Sequence, residues 1–540
     1  MIQLPLPSLS SRQLSLLTAV YLLLQENRAF WKSFLGLVNL DTTSGMLATA
    51  ALFTALAGIF FIVLLLFSMR WLQKPLLSVL ILVAAAVSYF QIHFGVIVDT
   101  SMIQNIVETD QREAAELITA GYIGHMALYG LLPVIFLWLI PVRRQTWGRE
   151  LVRGGVWGVV AVLLVGVALW GGYKDLSLIG RENRELRYLL NPSFPINSAV
   201  KYLRSRFKTP DAPPAPIATD SKRSPDDADP HIMVLVLGET ARVANFSLAG
   251  YARETNPELK KQNILFYPNV SSCGTATAES VPCLFAHLTR EQFSVDKAHT
   301  YENILDVLKG TGVKVTWIDN NSGCKGVCDR VETINAAAST DQDLCSTGEC
   351  FDEILVRYLD QVLASGISGD RLIVLHQKGS HGPAYYKRYP RSFARFQPEC
   401  ASAAPQECSV EEIVNAYDNT ILYTDHVLSL VIDRLKAIQG AEASMIYVSD
   451  HGESLGENGI YLHGLPYFIA PKEQTHVPML LWMSNGFARN DFVDTACMQA
   501  NLTKQHSHDE IFHTLLRMFE VKTELFEPGL DLFGNCMTAH

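Results

Sequence analysis

Long apolar runs alternate with short polar segments over the first third of the chain. Five of these runs are long enough, or nearly so, to cross a bilayer as a helix, which takes about 20 residues. The first is the least regular, because Gln25, Glu26 and Arg28 interrupt it. The predicted spans are Leu14–Trp31, Met46–Met69, Leu76–Val98, Tyr122–Val142 and Gly155–Tyr173.

The charges between these spans predict their orientation. Basic residues follow the second and fourth spans, whereas the loop after the third span is acidic. Since basic loops stay in the cytoplasm, the N-terminus is expected there. Five spans then leave the C-terminal domain outside the cytoplasm. The basic residues are Arg70, Lys74, Arg143, Arg144, Arg149 and Arg153, and the acidic ones are Asp99, Glu108, Asp110, Glu113 and Glu116.

Beyond the last span the pattern changes twice. Residues 174–208 mix charged and apolar positions, which suits a helical or extended connector along the membrane surface. Thr209–Pro230 is rich in Pro, Asp, Ala and Ser and is predicted to be a polar linker, with an ordered strap over the next domain as the alternative. The expected domains are a membrane domain over 1–173, a connector over 174–230 and a soluble domain over 231–540.

Short β-rich runs alternate with helical segments after residue 230. This alternation predicts an α/β domain with a mostly parallel sheet, in which sites form at the carboxyl ends of strands. The helical patterns are Tyr301–Lys309, Phe351–Ala364 and Glu411–Leu435. The predicted strands are Ile232–Leu237, Val313–Ile318, Arg371–Leu375, Met445–Val448 and Pro478–Trp482.

Charge and cysteine usage narrow the class of protein. A net charge of -10 gives no sign of the excess of basic residues that is typical of nucleic-acid-binding proteins, so this class is set aside. All ten cysteines lie in the soluble region, which favours disulfides in an oxidising compartment over a metal site or reduced thiols. The four closely spaced pairs are Cys273 with Cys283, Cys324 with Cys328, Cys345 with Cys350 and Cys400 with Cys408, which leaves Cys497 to pair with Cys536.

Two strand ends carry the donors that zinc prefers. Glu239 follows one predicted strand, and Asp450 and His451 follow another within Asp450-His451-Gly452-Glu453. Carboxylates with imidazole suit zinc, and adjacent donors at a turn can face one ion. Glu239 alone is more often a helix cap or salt-bridge partner, so the second motif gives the stronger signal.

A candidate nucleophile lies in the loop Ser272–Cys283, which is rich in small residues. A metal can activate a hydroxyl on such a turn. The composition leaves Thr275, Thr277 and Ser280 equally open, and the hydroxyls of this loop are as consistent with capping a helix near Ala278. Lys325, His381 and His463 are further groups that could meet a phosphate, although each alone is more often structural.

Taken together, the motifs resemble one family. The sequence is similar to the lipid A phosphoethanolamine transferases, which include the mobile colistin-resistance enzymes and belong to the alkaline-phosphatase and sulfatase superfamily. The likeness covers almost the whole chain. It is carried by Gly238-Glu239-Thr240-Ala241-Arg242, the Ser272–Cys283 loop, Asp319-Asn320-Asn321-Ser322, His381-Gly382-Pro383-Ala384-Tyr385, Ala416-Tyr417-Asp418-Asn419 and the stretch Tyr447–Gly459.

The resemblance implies roles for individual residues. Thr277 would be the nucleophile, and Glu239, Thr277, Asp450 and His451 would bind the zinc, with a second ion possible during turnover. The residues implied near the transferred group are Asn321, Ser322, Lys325, His381 and His463. Asn105, Thr109 and Glu113 match residues that bind the ethanolamine end, and their spacing predicts one helical face. The Cys324–Cys328 pair is not present in every member, so the Lys325 loop is expected to be stiffer here.

The resemblance further implies a sulfatase-like soluble domain in the periplasm, anchored in the inner membrane by five helices. The expected donor is phosphatidylethanolamine and the expected acceptor lipid A, with a monomeric enzyme. Transfer to a core sugar or another glycan is an alternative. Phosphoglycerol transfer, as in lipoteichoic acid synthases, is disfavoured because glycerol carries no positive charge for Glu113. A membrane scaffold or sensor without activity is disfavoured by the complete zinc and nucleophile set.

Overall fold

The computed structural model describes residues 8–68, 71–109, 111–143, 146–208, 213–223, 229–346, 349–366, 369–490 and 493–537. Contacts between residues divide the chain into two compact units. One unit holds Met1–Ile103 and Ile118–Tyr202, and the other holds Gln104–Leu117 and Leu203–His540. The predicted basic residues Arg70 and Arg144 lie outside the described residues.

The first unit is helical. Among the residues that the structure describes, four helices are long and apolar enough to cross a membrane: Thr43–Leu66, Gln73–His93, Ala120–Leu139 and Gly148–Gly171. These helices correspond to the last four predicted spans. The third contains a π-helical turn at Met126–Leu131.

The first predicted span is divided. Helix Ser11–Gln25 has 15 residues, and a second helix, Arg28–Leu37, follows after a break. At this break the side-chain amide of Asn27 donates to the carbonyls of Leu22 at 2.9 Å and Asn191 at 2.6 Å. The prediction of one continuous helix over Leu14–Trp31 is therefore wrong, because buried polar side chains end the helix early.

The connector is helical. It consists of Tyr173–Glu182, a 3-10 turn at Arg184–Leu189, and Ser193–Lys208. Of the predicted linker, 209–212 and 224–228 lie outside the described residues. In between, the short strand Lys222–Arg223 pairs with Val521–Lys522, and Asp220 accepts a hydrogen bond of 2.7 Å from Thr523. This part therefore forms an ordered strap on the second unit, which was the alternative to a free linker.

The second unit contains an eight-stranded mixed sheet with the order β8-β2-β7-β6-β1-β5-β3-β4. Neighbouring strands are parallel except where β7 pairs with β6 and β2. The strands are β1 His231–Gly238, β2 Ile264–Ser271, β3 Lys314–Asp319, β4 Glu332–Asn335, β5 Arg371–His376, β6 Glu442–Ser449, β7 His476–Met483 and β8 His506–Ser507.

The sheet is covered on both faces. All of β1 is buried, and its residues alternate between two cores, with Met233 and Leu235 in one and Val234 and Val236 in the other. An apolar run without polar alternation is typical of a strand buried on both sides. Helices Ile304–Gly310 and Asp509–Met518 pack in the first core, and Glu353–Ala364 and Val410–Lys436 in the second.

The carboxyl ends of the central strands meet at one edge of the sheet. Ser449 of β6 is in register with Gly238 of β1, and His376 of β5 with Leu237. Strand β2 was not predicted, yet it runs in the same direction as β6, because β7 is antiparallel to both. The loop that follows β2 therefore leaves the sheet at the same edge as Glu239 and Asp450.

Candidate functional site

Two carboxylates face each other at this edge of the sheet. Glu239 follows β1 and Asp450 follows β6, and both are buried. Asp450 Oδ1 accepts two backbone hydrogen bonds, from Thr240 at 3.1 Å and from His451 at 2.7 Å. Gly379 allows the chain to pass close behind Glu239, since a Cβ at Gly379 would lie 2.5 Å from the Glu239 carbonyl oxygen.

The three candidate hydroxyls of the Ser272–Cys283 loop have different partners. Thr275 donates to the carbonyl of Leu465 at 2.6 Å, and Ser280 donates to the carbonyl of Asp450. Thr277 instead lies 3.1 Å from Glu239 Oε2 and 3.4 Å from His451 Nε2. It is also the first residue of helix Thr277–Leu284, whose N-terminus favours negative charge.

Glu239, Asp450 and His451 form a compact donor cluster. One ligand atom from each lies within 4.8 Å of the others, and all three residues are buried. His451 Nδ1 lies 3.0 Å from the Gly452 carbonyl, so a proton on Nδ1 directs the Nε2 lone pair into the cluster. Asp450 Oδ2 is buried and lies 3.3 Å from His451 Nε2, but none of the described residues meets hydrogen-bond geometry with it.

The electrostatics of this cluster fit a divalent cation. Burial and the charge of Glu239 raise the pKa of Asp450 well above its usual range. Burial and the neighbouring His463 lower the pKa of His451 to about 3, so its imidazole is neutral at pH 7. For Glu239, burial opposes ionisation, but His451 and the other nearby histidines outweigh it and lower the pKa to about 2. Two converging buried carboxylates with a neutral imidazole are a donor set that zinc satisfies.

His463 and His381 lie beside this cluster. The ring of His463 is centred 4.3 Å from that of His451 and 5.5 Å from that of His381. His463 Nδ1 lies 2.8 Å from Glu453 Oε2, and the other oxygen of Glu453 accepts a hydrogen bond of 2.6 Å from Tyr385. Glu453 and Tyr385 were not among the predicted site residues, although both belong to motifs that carried the resemblance.

Asn321 supports Glu239. Its side-chain amide donates at 2.8 Å both to Glu239 Oε2 and to the carbonyl of Gln377. The same nitrogen lies 3.3 Å from His376 Nε2, and His376 Nδ1 lies 2.9 Å from Asp319. Asn321 therefore contacts a carboxylate of the cluster, and its implied position near the transferred group stays a prediction.

Ser322 and Lys325 contact each other. Lys325 Nζ donates to the hydroxyl of Ser322 at 3.1 Å and to its carbonyl at 3.2 Å. Lys325 also lines a cavity of about 240 Å³ together with Pro282 and His287. Its φ of 52° is uncommon for a residue with a side chain and marks a loop held by its surroundings.

Disulfides hold both loops. The ten cysteines form five bonds, and the structure has no free cysteine. Cys273–Cys283 spans the loop that carries Thr277, and Cys324–Cys328 spans the loop that carries Lys325. The other bonds are Cys345–Cys350, Cys400–Cys408 and Cys497–Cys536.

The predicted head-group residues lie on a segment that packs with the second unit. Thr109 donates to the Asn105 carbonyl through its amide at 2.8 Å and its hydroxyl at 2.6 Å. The described helices are Thr100–Glu108 and Gln111–Glu116, and Asp110 between them lies outside the described residues. The expected single helical face over Asn105, Thr109 and Glu113 therefore stays a prediction. The side chain of Glu113 lies outside the described residues.

A buried arginine ties this segment to the site loops. Arg388 donates to Glu116 Oε2 at 2.7 Å and to the His381 carbonyl at 2.8 Å. Neither Arg388 nor Glu116 was predicted to belong to the site. Nothing in the local pattern singles them out, because they are far apart in the sequence and meet only in the folded chain.

Two family models match the chain. The model described as phosphoethanolamine transferase EptA/EptB matches residues 56–207, and the model described as sulfatase matches residues 231–521. Together they cover most of the helical part, from residue 56 onwards, and most of the sheet domain.

Full-length relatives show the same correspondence. The chain is 40% identical over 536 residues to phosphoethanolamine transferase EptA of Escherichia coli K12, covering 98% of both chains. It is 37% identical to phosphatidylethanolamine transferase Mcr-1 of Escherichia coli, covering 94% of both. The solved integral membrane protein lipooligosaccharide phosphoethanolamine transferase A of Neisseria meningitidis superposes with a TM-score of 0.95 at 33% identity, covering 99% of this chain and 100% of that one.

Proposed function

This chain belongs to the phosphoethanolamine transferase family, and we propose that it moves phosphoethanolamine from phosphatidylethanolamine to a lipid A phosphate through Thr277. The observation that carries the proposal is the meeting of the Thr277 hydroxyl with Glu239 and His451 beside the buried oxygen of Asp450. The relatives are transferases of this group, so the chain is an enzyme. The Neisseria meningitidis protein is named for lipooligosaccharide, which supports lipid A as the acceptor.

Zinc is the cofactor that this donor set supports. We assign Glu239, Thr277, Asp450 and His451 as its ligands, which combine carboxylate and hydroxyl oxygens with one imidazole nitrogen. A bound zinc ion would lower the proton affinity of the Thr277 hydroxyl and neutralise charge on the phosphoryl oxygens. The unsatisfied Asp450 Oδ2 and the raised pKa of that carboxyl are both relieved by a positive ion.

The reaction proceeds in two displacements at phosphorus. Thr277 Oγ1 attacks the phosphorus of phosphatidylethanolamine, the bond to the glycerol oxygen breaks, and diacylglycerol leaves with a proton. A phosphoethanolamine ester on Thr277 remains. A lipid A phosphate oxygen then attacks the same phosphorus, the bond to Thr277 breaks, and Thr277 Oγ1 regains a proton from the attacking phosphate or from water. The N-terminus of helix Thr277–Leu284 faces the developing negative charge in both steps.

Several side chains would hold the transferred group. His463, oriented by Glu453, and the adjacent His381 are the proposed donors to phosphoryl oxygens, together with Lys325 and Ser322 from the disulfide-held loop. We propose that Asn321 acts by holding Glu239. For the ethanolamine end we propose Asn105, Thr109 and Glu113, since a carboxylate can pair with the ammonium group of the donor.

The membrane arrangement follows from charge. Arg149 and Arg153 lie near the start of the last span, so we propose that this end faces the cytoplasm and that the catalytic domain lies in the periplasm. This orientation holds with four or five spans. Helix Ser11–Gln25 buries Leu14 and Leu22 against Leu77 and Ile81 of the bundle, which supports a fifth, short span. We retain 1–173, 174–230 and 231–540 as the proposed domains, in an inner-membrane monomer.

The proposal is tested by the lipid A of cells that carry the parent or the Thr277→Ala chain. Mass spectrometry should detect added phosphoethanolamine on lipid A phosphate with the parent only, together with weaker polymyxin binding. Thr275→Ser is the matched control, because it keeps the hydroxyl that donates to Leu465 and should stay active. Modified lipid A in Thr277→Ala cells would exclude Thr277 as the nucleophile, and addition to a core sugar would exclude the proposed acceptor.

A further inference from the structure

The membrane unit contains a cavity of about 640 Å³ that the transfer reaction does not use. It lies where five helix ends come together, namely the ends of Thr43–Leu66 and Ala120–Leu139 and the starts of Ser11–Gln25, Gln73–His93 and Gly148–Gly171. By the orientation proposed above, these ends face the cytoplasm. The cavity itself is a feature of this unit alone and does not depend on that orientation.

Cationic groups line one part of the cavity. Arg12, Lys74 and Arg143 contribute to its wall, against one carboxylate, that of Glu150. The Nη1 atom of Arg12 is buried and has no hydrogen-bond partner among the described residues, which is costly for a guanidinium. Lys74 donates to the carbonyls of Trp138 at 3.0 Å and Ile140 at 2.8 Å, which holds its charge at the cavity. This arrangement suits an anion that would accept from Arg12.

Apart from Ser11, Ser68 and Gln73, the rest of the lining is apolar and leaves room. Ile62, Leu65 and Leu66 come from one helix, and Leu151 comes from the helix opposite. That second helix presents Gly154, Gly155 and Gly158 to the cavity, and a Cβ added at any of them would meet nothing within 4 Å. An inorganic anion does not need such walls, whereas an acyl chain fills them and gains the free energy of apolar burial.

We propose that this cavity binds one anionic phospholipid of the membrane leaflet on the arginine-rich side. The phosphate would accept from Arg12 and Arg143, and part of an acyl chain would lie along the glycines of the opposite helix. A zwitterionic lipid fits less well, because its ammonium group would meet three cationic side chains against the single carboxylate of Glu150. Basic pockets at the cytoplasmic ends of membrane helices recognise anionic lipids in this way. The bound lipid would stabilise the packing of the helices around the cavity. It is distinct from the donor and the acceptor of the reaction.

The test is native mass spectrometry of the full-length, delipidated protein with added lipid. Phosphatidylglycerol and phosphatidylethanolamine with the same acyl chains are compared, and inorganic phosphate is added as a competitor. We expect one phosphatidylglycerol to bind at least about ten-fold more tightly than phosphatidylethanolamine, and phosphate not to displace it. Arg12→Gln and Gly158→Leu should each weaken this binding about ten-fold or more, the first by removing charge and the second by filling the cavity.

Two matched controls lie on the same helix as the glycines. Arg149→Gln removes a cation that does not line the cavity, and Gly166→Leu adds the same bulk elsewhere on the helix. Both should bind phosphatidylglycerol as the parent does. Equal binding of the two lipids, or unchanged binding in both Arg12→Gln and Gly158→Leu, would identify ordinary surrounding lipid and overturn the proposal. Displacement by phosphate alone would overturn the lipid assignment. If Gly158→Leu does not fold, Arg12→Gln and Arg143→Gln decide the outcome.

Discussion

Arg388 and Glu116 form a buried ion pair of 2.7 Å between residues 272 positions apart in the sequence. The side chain of Arg388 is 2% exposed and that of Glu116 is 7% exposed. Through its other nitrogens, Arg388 donates to the His381 carbonyl at 2.8 Å and to Glu349 at 2.9 Å. One guanidinium thus joins the segment that carries Asn105 and Thr109 to the loop that carries His381. We expect this link to set the distance between the ethanolamine end and the reacting phosphorus.

Arg388→Gln should therefore slow transfer from phosphatidylethanolamine about ten- to a hundred-fold, because hydrogen bonds to charged groups contribute roughly 1.5–3 kcal/mol. Zinc content should not change, since Arg388 contacts none of the proposed ligands. The measurement is turnover of a fluorescent phosphatidylethanolamine by the full-length enzyme in lipid nanodiscs, with zinc measured on the same samples.

Two further variants distinguish a positioning role of Arg388 from a general loss of folding. Lys387→Gln removes a more exposed partner of Glu116, 2.8 Å away, and should cost less than about five-fold, as surface ion pairs contribute little. Glu116→Gln combined with Arg388→Gln should recover part of the lost rate, because no unpaired buried charge remains between the two. A fully active Arg388→Gln enzyme would remove this residue from the mechanism.

Asp450→Asn should lose zinc. The amide presents one neutral oxygen where the carboxylate presents Oδ2 to the ion, so we expect zinc affinity to fall at least about a hundred-fold and transfer to fall with it. The check is metal content by inductively coupled plasma mass spectrometry after dialysis against a weak chelator. Asp425→Asn is the control, because Asp425 is equally buried but accepts only from the backbone of Glu258 and Leu259. Full zinc occupancy in Asp450→Asn would exclude Asp450 as a ligand.

Structural features could be predicted from the sequence where a short, continuous stretch of residues determines them. Strands β1 and β6 contain the continuous apolar runs Ile232–Leu237 and Met445–Val448, so the positions of Glu239 and Asp450 beyond their ends could be predicted. Strand β2 was missed because Pro268 and Asn269 interrupt it, and its pairing with β7 is irregular at the same place. Because β2 was not predicted, the sequence pattern alone did not place the Thr277 loop at the edge of the sheet that carries Glu239 and Asp450. Thr277 was identified as the nucleophile only through the family resemblance.

Other features exist only in the folded chain. The break after Gln25 depends on Asn27 bonding to Asn191, and no window of sequence contains both. The same is true of Asn321, whose side-chain amide bonds to Glu239 and to the Gln377 carbonyl. A motif can identify such residues as important, but their partners decide whether they bind substrate or hold another side chain.

The disulfides beside the two loops should have separable effects. Cys273→Ser with Cys283→Ser frees the loop of Thr277 and should lower kcat about ten-fold or more, because the nucleophile is then less well fixed. Cys324→Ser with Cys328→Ser frees the loop of Lys325 and Ser322 and should mainly raise KM. Steady-state kinetics on the two double variants make the comparison. The same change in kcat from both pairs would show that the bonds only stabilise the domain, by about 2 kcal/mol for such short loops.

His231 should make the catalytic domain sensitive to acid. Its imidazole is buried at the start of β1, with Nδ1 3.2 Å from the Met518 carbonyl and Nε2 2.8 Å from the Ser444 hydroxyl. Both contacts are satisfied by the neutral ring, and burial together with the charge of Arg223 lowers its pKa from 6.5 to about 3. The unfolded chain therefore binds a proton between pH 6.5 and pH 3 that the folded chain does not bind. Stability from this group is complete above pH 6.5 and is lost as the pH falls towards 3, by up to about 1.4 kcal/mol per pH unit.

His231→Asn should flatten this dependence. Asparagine offers a donor and an acceptor but does not titrate, so the variant is expected to be less stable than the parent at pH 8 and to lose less stability on acidification. The measurement is the thermal midpoint of the full-length proteins in detergent from pH 8 to pH 5. The difference between the two midpoints should be constant above pH 7 and should narrow below pH 6.5. The other buried histidines are common to both proteins and cancel in this difference. If the difference between the two thermal midpoints stays constant down to pH 5, His231 is not the group that makes the stability of the domain fall with pH.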